Sequence, residues 1–213
     1  MNAVVARRWG ELVGIGADQE LRELIACYGG AGRHYHTIDH IVALLQLTGE
    51  HAAGLSDRDA VDLAILFHDA IYEPSRRDNE EASAALARGR LPGLGVPPAQ
   101  IEKIAHYIEA TKHTGAGPTG DSDLDHLLDF DLSILAAEPM QYEAYAAAIR
   151  REYSIYADLL YRPGRAKVLR AFLAMPRLYR VPELAARWEG PARANLTTEL
   201  ARMGAGSVPP TQD

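Results

Sequence analysis

The chain has 213 residues, 47% of them hydrophobic, and a formal net charge of −7. The hydrophobic fraction is enough for a sizeable core, and the acidic balance argues against a nucleic-acid polymer or an anionic membrane as partner, because both need a basic surface. No run approaches the ~20 apolar residues that span a bilayer. The single cysteine, Cys27, allows no disulfide framework, so we expect a cytoplasmic protein with one domain over 1–203 and a disordered tail at 204–213.

Apolar residues three and four positions apart recur along the chain, and no segment alternates as a strand does. The pattern predicts an all-α bundle of about eight to ten helices. The predicted helices span 1–14, 17–28, 38–48, 57–71, 78–88, 99–112, 121–136, 140–160, 165–174 and 184–201. Pro163-Gly164 is expected to end the helix that starts at 140.

The fourth predicted helix forms the centre of this pattern, because Val61 to Phe67 is apolar at every position except Asp62. Ser56 and Asp59 predict its start by a capping box. Its end carries His68-Asp69, and burying such groups without partners costs roughly 1–3 kcal/mol each, and more for a charge. A metal ion would satisfy both groups. The alternative is a histidine that caps its own helix C-terminus, where the helix dipole favours a cation.

Two other helices also carry acids or histidines at apolar positions. His36 and His40 are four residues apart and can face one way at the start of a helix, with Thr37 as the N-cap. Asp129 and Asp131 stand in another apolar run. Each of these residues could instead serve a helix end, but their occurrence together with the His-Asp pair favours a metal site.

Further polar residues leave two interpretations open. His106 and His113 are one heptad apart, so they are either ligands or a solvated stripe. Asp78 and Glu81 fit the start of a helix as a cap pair, with Glu80 between them.

The order of three motifs carries a resemblance to a known family. The chain contains, in this order, Tyr35 to His40, Phe67-His68-Asp69 and Asp131-Leu132-Ser133. This order resembles the signature H…HD…D of the HD superfamily of metal-dependent phosphohydrolases. The similarity extends over about 33–173. The similarity implies an HD-type helical bundle. It also favours Asp131 over Asp129 as the last metal ligand, because Leu-Ser follows Asp131 in the pattern of the family's last acid. The implied metal ligands are His40, His68, Asp69 and Asp131.

The cyclic-nucleotide phosphodiesterase branch of that superfamily has Tyr-His-Asn-x-x-His, in which the first histidine donates a proton to the leaving oxygen. The resemblance therefore implies His36 as general acid, although Thr37 replaces the asparagine. The sequence also departs from signalling members after His-Asp, where Ala70-Ile71-Tyr72 replaces their glycine and lysine. His106 and His113 are candidates for a second metal, which we do not assign.

The implied chemistry is attack of metal-activated water on phosphorus, with Asp69 orienting the water and His36 as proton donor. Mixed nitrogen and oxygen ligands suit Mn²⁺, Co²⁺, Ni²⁺, Fe²⁺ or Zn²⁺, with Mg²⁺ also considered. The candidate substrate-binding residues are Arg33, Glu80, Lys112 and His113. Additional candidate cations for the phosphoryl group are Arg76, Arg77 and Arg150.

The expected function is hydrolysis of a small phosphate ester, with a nucleotide as first candidate. The alternative is a regulatory module that binds metal and nucleotide but turns over slowly or not at all. A homodimer is compatible with the apolar helices.

Overall fold

The computed structural model describes residues 2–14, 16–113 and 117–205, without the side chains of 204 and 205. This part of the chain contains ten α-helices and no strand, which confirms the all-α prediction. The helices are α1 Ala3–Val13, α2 Asp18–Cys27, α3 Ile38–Glu50, α4 Arg58–Phe67, α5 Asn79–Arg90, α6 Pro98–Ala110, α7 Ser122–Asp131, α8 Pro139–Glu152, α9 Asp158–Ala174 and α10 Pro182–Ala205. Short 3-10 turns are formed by Ala52–Gly54, Leu91–Leu94, Leu132–Ala136 and Tyr153–Ile155.

Helix α4 is the central helix, as its apolar sequence predicts. Every residue from Ala60 to Phe67 is buried, and α3, α5, α6 and α7 pack against it. Its start differs from the predicted capping box, because Asp57 is the N-cap and accepts from the backbone N–H of Ala60. The helix ends at Phe67, not at residue 71, with His68 as its C-cap.

Asp62, the polar exception in α4, is fully buried and connects three helices. Its carboxylate accepts hydrogen bonds from Thr48 Oγ1 of α3 (2.5 Å) and Arg8 Nε of α1 (2.6 Å). Arg58 Nε lies 3.2 Å away. A buried charge is tolerated here because cations and a hydroxyl surround it.

The core has two hydrophobic clusters. The first surrounds α4 and includes residues of α1 to α7, and the second lies among the 3-10 turn after α7 and helices α8, α9 and α10. Trp188 packs against both. Asp129 of α7 links the two regions by accepting the N–H groups of Arg180 and Val181 at 2.8 Å.

The break between α8 and α9 corrects the predicted helix boundaries. The chain leaves helix α8 after Glu152, and α9 continues through Pro163-Gly164. Arg150 stabilises the break by donating to the carbonyls of Tyr153 (3.0 Å) and Tyr156 (3.1 Å), which lack α-helical partners. Pro163 has no backbone N–H, so the carbonyl of Leu159 has no helical hydrogen bond. Leu159 is exposed, and water can therefore bind this carbonyl.

Helix α10 extends to Ala205, past the predicted end at 201, so Gly204 belongs to a helix. The remainder of the predicted disordered tail lies outside the described residues. None of the described helices combines the length and the apolar character needed to cross a membrane.

Candidate metal centre and active site

Three predicted ligands from three different helices meet at one point. His40 comes from the first turn of α3, His68 from the end of α4, and Asp131 from the last residue of α7. The three ligand atoms lie within 4.8 Å of one another. His40 Nε2 is 3.2 Å and His68 Nε2 is 3.6 Å from Asp131 Oδ1. This group could hold a metal ion.

Asp69, the fourth predicted ligand, borders the same group. Its Oδ2 is 2.9 Å from His68 Nε2 and 3.8 Å from His40 Nε2. Within a helix, side chains of adjacent residues diverge by about 100°. Both side chains nevertheless reach the same point here, at the end of α4, where His68 keeps helical dihedral angles (φ −57°, ψ −38°).

The hydrogen bonding of His68 fits a ligand. Its Nδ1 donates to the carbonyl of Ile65 (2.8 Å) and thus caps α4, as the structural alternative proposed. Its Nε2 is buried and has no well-aligned hydrogen bond within the described part of the chain. A neutral imidazole with Nδ1–H so occupied presents the lone pair of Nε2, which is the arrangement of metal-binding histidines.

The electrostatics of the group favour a cation. Burial raises the pKa of Asp131, but the neighbouring imidazoles of His113, His40 and His68 outweigh this effect and hold the pKa of Asp131 well below its usual value. Burial lowers the pKa of His68, yet the charges of Asp69 and Asp131 raise it well above the ordinary value. Negative charge is thus concentrated where the three side chains meet, and this charge favours a bound cation.

Glu152 is the main site residue that the sequence analysis missed. One carboxylate oxygen accepts the backbone N–H groups of His34, Tyr35 and His36 at 2.7, 2.7 and 3.0 Å. The other lies 2.7 Å from His36 Nδ1 and accepts from the hydroxyl of Tyr72 (3.0 Å). No local pattern marks Glu152, because it stands 116 residues from His36.

Glu152 and Tyr72 fix the ring of His36. With Nδ1 bound to Glu152, and the Tyr72 ring stacked at 4.1 Å, Nε2 is the nitrogen left for a ligand in the cavity that His36 lines. Burial lowers the pKa of His36, whereas the charge of Asp69 and the hydrogen bond to Glu152 raise it. The raising effects are larger, so the net pKa of His36 is above the ordinary value. Burial opposes ionisation of Glu152, yet its hydrogen bond with His36 and backbone N–H groups lowers its pKa to about 2.

His113 contacts the opposite oxygen of Asp131. Its Nε2 is 2.7 Å from Asp131 Oδ2, and its backbone is in the left-handed region with φ of 51°. His113 thus orients Asp131, a candidate metal ligand. It also lines the cavity, where a substrate-binding residue is expected. His106, its partner in the heptad, is exposed on α6 and lies outside the site.

The site opens into a cavity of about 710 Å³. His36, His68, Asp69 and Asp131 lie in its wall, together with the predicted substrate-binding residues Glu80 and Lys112. Lys112 Nζ is 2.6 Å from Glu81 Oε1 and 3.9 Å from Glu80 Oε2, and it also donates to the carbonyl of Arg77. His40 borders a neighbouring cavity of about 440 Å³.

The other predicted cations lie outside this cavity wall. The guanidinium of Arg33 donates to the carbonyls of His36 (3.0 Å), Asp69 (2.7 Å) and Ala70 (3.0 Å), so it joins the entry of α3 to the exit of α4. Arg76 pairs with Asp78. Arg77 is exposed, and Arg150 supports the break after α8. Asp78 occupies the N-cap position of α5, but its side chain makes no capping hydrogen bond.

The preference for Asp131 over Asp129 agrees with the geometry. The Asp129 carboxylate is fully buried and is used by the N–H groups of Arg180 and Val181. Burial raises its pKa to about 6, with those hydrogen bonds opposing the rise. Asp129 thus serves the fold, as its alternative interpretation proposed.

Comparison with family models gave no match, and no solved structure matched the chain either. The resemblance to the HD superfamily therefore stays a prediction from the motifs. The convergence of His40, His68 and Asp131 is a feature of the fold itself, and the functional argument starts from it.

Proposed function

We propose that this chain is a metal-dependent phosphohydrolase of the HD type that acts on a small phosphate ester, with a nucleotide as first candidate. The observation that carries the proposal is the meeting of His40, His68 and Asp131, with buried His68 Nε2 lacking a well-aligned hydrogen bond. The proposal includes a cytoplasmic location, which the lone cysteine of the sequence supports.

The donor set fits a divalent transition metal. Two imidazole nitrogens and one carboxylate oxygen surround one point, and Asp69 adds a further oxygen nearby. Such a set suits Mn²⁺, Co²⁺, Ni²⁺, Fe²⁺ or Zn²⁺, and Mg²⁺ is the less favoured alternative because it prefers oxygen. When bound, such an ion acidifies water and polarises a phosphoryl oxygen.

His36 supplies the proton for the leaving oxygen in this proposal. Its Nδ1 is held by Glu152, and its net pKa is above the ordinary value, so the imidazolium form persists to higher pH than in a free histidine. An ion bound beside Asp69 would offset the contribution of that carboxylate, and Glu152 would then maintain the protonated ring. A pure binding module has no use for such a donor, and this argues for the enzyme.

The metal site is tested by the metal content of protein purified without chelator. We expect about one divalent ion per chain in the wild type after incubation with Mn²⁺, and its loss in Asp131→Ala and Asp69→Ala. His106→Ala removes an exposed histidine outside the site and should retain the metal. A wild type that binds no metal, or a loss as great in His106→Ala as in Asp131→Ala, contradicts the proposed site.

Catalysis is tested by a screen of phosphate esters with Mn²⁺ and Co²⁺, on wild type and His36→Ala. We expect His36→Ala to lose about 10²–10⁴-fold in kcat while it keeps the metal. Full activity in His36→Ala would exclude this residue as general acid. A metal-loaded wild type that hydrolyses no ester in the screen would favour the binding module instead.

A further inference from the structure

We propose, on the basis of the metal-dependent ester hydrolysis proposed above, that the cavity favours a phosphomonoester with an apolar alkyl or aryl group over the nucleotide that the motifs suggest. The reason is the composition of the cavity wall. Asp69 and Asp131 give the wall its charge at the candidate metal site, whereas α8, α9 and the turn after α7 contribute mainly apolar and aromatic side chains.

Helices α8 and α9 and the turn between them also contribute Tyr145, Tyr153, Tyr156, Tyr161 and Arg165 to the wall. The lining side chains without hydrogen-bonding atoms include Leu132, Leu135, Ile149, Leu160, Val168 and Phe172. These side chains cannot pair with the donors and acceptors on the edge of a nucleobase, but they stabilise any methylene group that leaves water to contact them. The volume of about 710 Å³ is within the range of pockets that enclose a small organic ligand.

Aromatic rings form a further share of the cavity wall. Tyr145 contacts Tyr35 edge to face with ring centres 4.6 Å apart, and Tyr153 lies 6.3 Å from Tyr156. All four rings line the cavity. Their faces accept an aryl or alkyl group, and also a base, so nucleotides must be a direct comparison in the test.

The charges of the wall favour a single phosphate. Among the described residues, the lining cations are Lys112 and Arg165, and both already face carboxylates. Lys112 contacts Glu81 at 2.6 Å, and Arg165 donates to both oxygens of Glu199 at 2.8 and 3.0 Å. The carboxylates of the wall are Asp69, Glu80 and Asp131. Beyond a bound ion, this wall offers little positive charge to a second or third phosphate.

The apolar wall continues to the protein surface. Leu160 and Val168 line the cavity and are nevertheless 67% and 44% exposed. Ile155 and Leu159, in the turn before α9 and its first turn, are 64% and 85% exposed. Exposed large apolar side chains gathered near a cavity are typical of binding surfaces. We assign this surface to the outer end of the substrate's own hydrocarbon chain.

The first experiment measures kcat/KM of the Mn²⁺-loaded protein for ethyl, butyl, hexyl and octyl phosphate, below their micelle concentrations, and for AMP and ADP. We expect kcat/KM to rise by up to about fourfold per added methylene until the cavity is filled. Octyl phosphate should exceed AMP, and ADP should be the poorest substrate.

Binding of alkylphosphonates of the same lengths, measured by calorimetry, separates this inference from the proposed function, because phosphonates are not hydrolysed as esters. A Kd that falls with chain length, in a protein that hydrolyses no ester, supports the apolar site and overturns the hydrolase. Turnover of AMP with no effect of alkyl length on kcat/KM or Kd overturns the apolar site and leaves the hydrolase standing.

Val168→Glu and Leu160→Glu place a charge on the apolar surface at exposed positions, so the fold should tolerate both. We expect each to weaken octylphosphonate binding by about tenfold or more, the cost of excluding two or more methylenes, with little change for ethylphosphonate. Met140→Glu is the matched control, because Met140 is 86% exposed in the first turn of α8 and lies outside the cavity wall. Octylphosphonate binding equal to wild type in both α9 variants overturns the inference.

Discussion

Glu152 connects the loop before α3 to the end of α8 through a single buried carboxylate. Three backbone N–H groups, one imidazole and one phenol surround it. A carboxylate so enclosed is stable only while ionised, because a protonated acid would leave several donors without acceptors. Its charge therefore affects both stability and the pKa of His36.

The first prediction concerns stability. The pKa of Glu152 is lowered from 4.5 to about 2 in the fold, so its stabilisation is complete above pH 4.5 and is lost as the pH falls through about 2. The shift corresponds to about 3 kcal/mol. Glu152→Gln should therefore reduce the free energy of unfolding by about this amount at pH 7, as measured in urea, and the difference from wild type should shrink below pH 4.5. Glu143→Gln, an exposed glutamate of the same helix, should have little effect; equal losses in the two variants would contradict the assignment.

The second prediction concerns the pH profile of the proposed activity. A proton donor loses activity as the pH rises through its pKa, and the charge of Glu152 raises the pKa of His36. Glu152→Gln should move the alkaline limb of the kcat profile to lower pH, while Glu143→Gln leaves the limb in place. An unmoved alkaline limb in an active Glu152→Gln protein would show that His36 is not the group observed.

The third prediction concerns His113, which holds Asp131 through the oxygen opposite His40. Residues that orient a ligand in this way typically contribute 10–100-fold in metal affinity. His113→Ala should weaken Mn²⁺ binding by about this factor in a titration. Asparagine tolerates the left-handed backbone that His113 adopts and retains a donor, so His113→Asn should weaken binding less. Equal affinity in wild type and His113→Ala would remove His113 from the site.

Between the helices, the buried carboxylate of Asp62 joins α1, α3 and α4. Removing one partner of a buried ion pair leaves the other charge uncompensated. As the fourth prediction, Asp62→Ala should lower the free energy of unfolding by about 3–5 kcal/mol in urea. Asp59→Ala removes the exposed partner of the same Arg8 and should cost less than about 1 kcal/mol. Similar losses in both variants would show that burial of Asp62 is not the cause.

Across the complete fold, the candidate ligands tie together helices that are distant in sequence, since His40 and Asp131 are 91 residues apart. An ion that binds only the folded chain stabilises it, by about 4 kcal/mol at a thousand times its Kd. The fifth prediction is that Mn²⁺ at this excess raises Tm by roughly 10 °C and that a chelator reverses the rise. Asp131→Ala should lose the shift, and His106→Ala should keep it. A Tm that Mn²⁺ leaves unchanged in the wild type would contradict the site.

The bundle as a whole also shows how far the helices could be predicted. Periodic apolar residues and glycine- or proline-rich loops mark the helices, because these signals arise between residues three or four apart. The same local signals misplaced several helix boundaries, of which two show the physical reason. Asp57 caps α4 instead of Ser56, and the chain breaks after Glu152 instead of at Pro163, because Arg150 satisfies the carbonyls of the break.

The sequence by itself determined the helical class, the burial of α4 and the order of the motifs that contain His40, His68 and Asp131. These properties follow from residue type and short-range spacing. Only the tertiary structure decided that these three side chains meet, that Asp129 instead binds the N–H groups before α10, and that Glu152 holds His36. These contacts join residues 28 to 116 positions apart. They depend on how the helices pack, and helical periodicity contains no information on that packing.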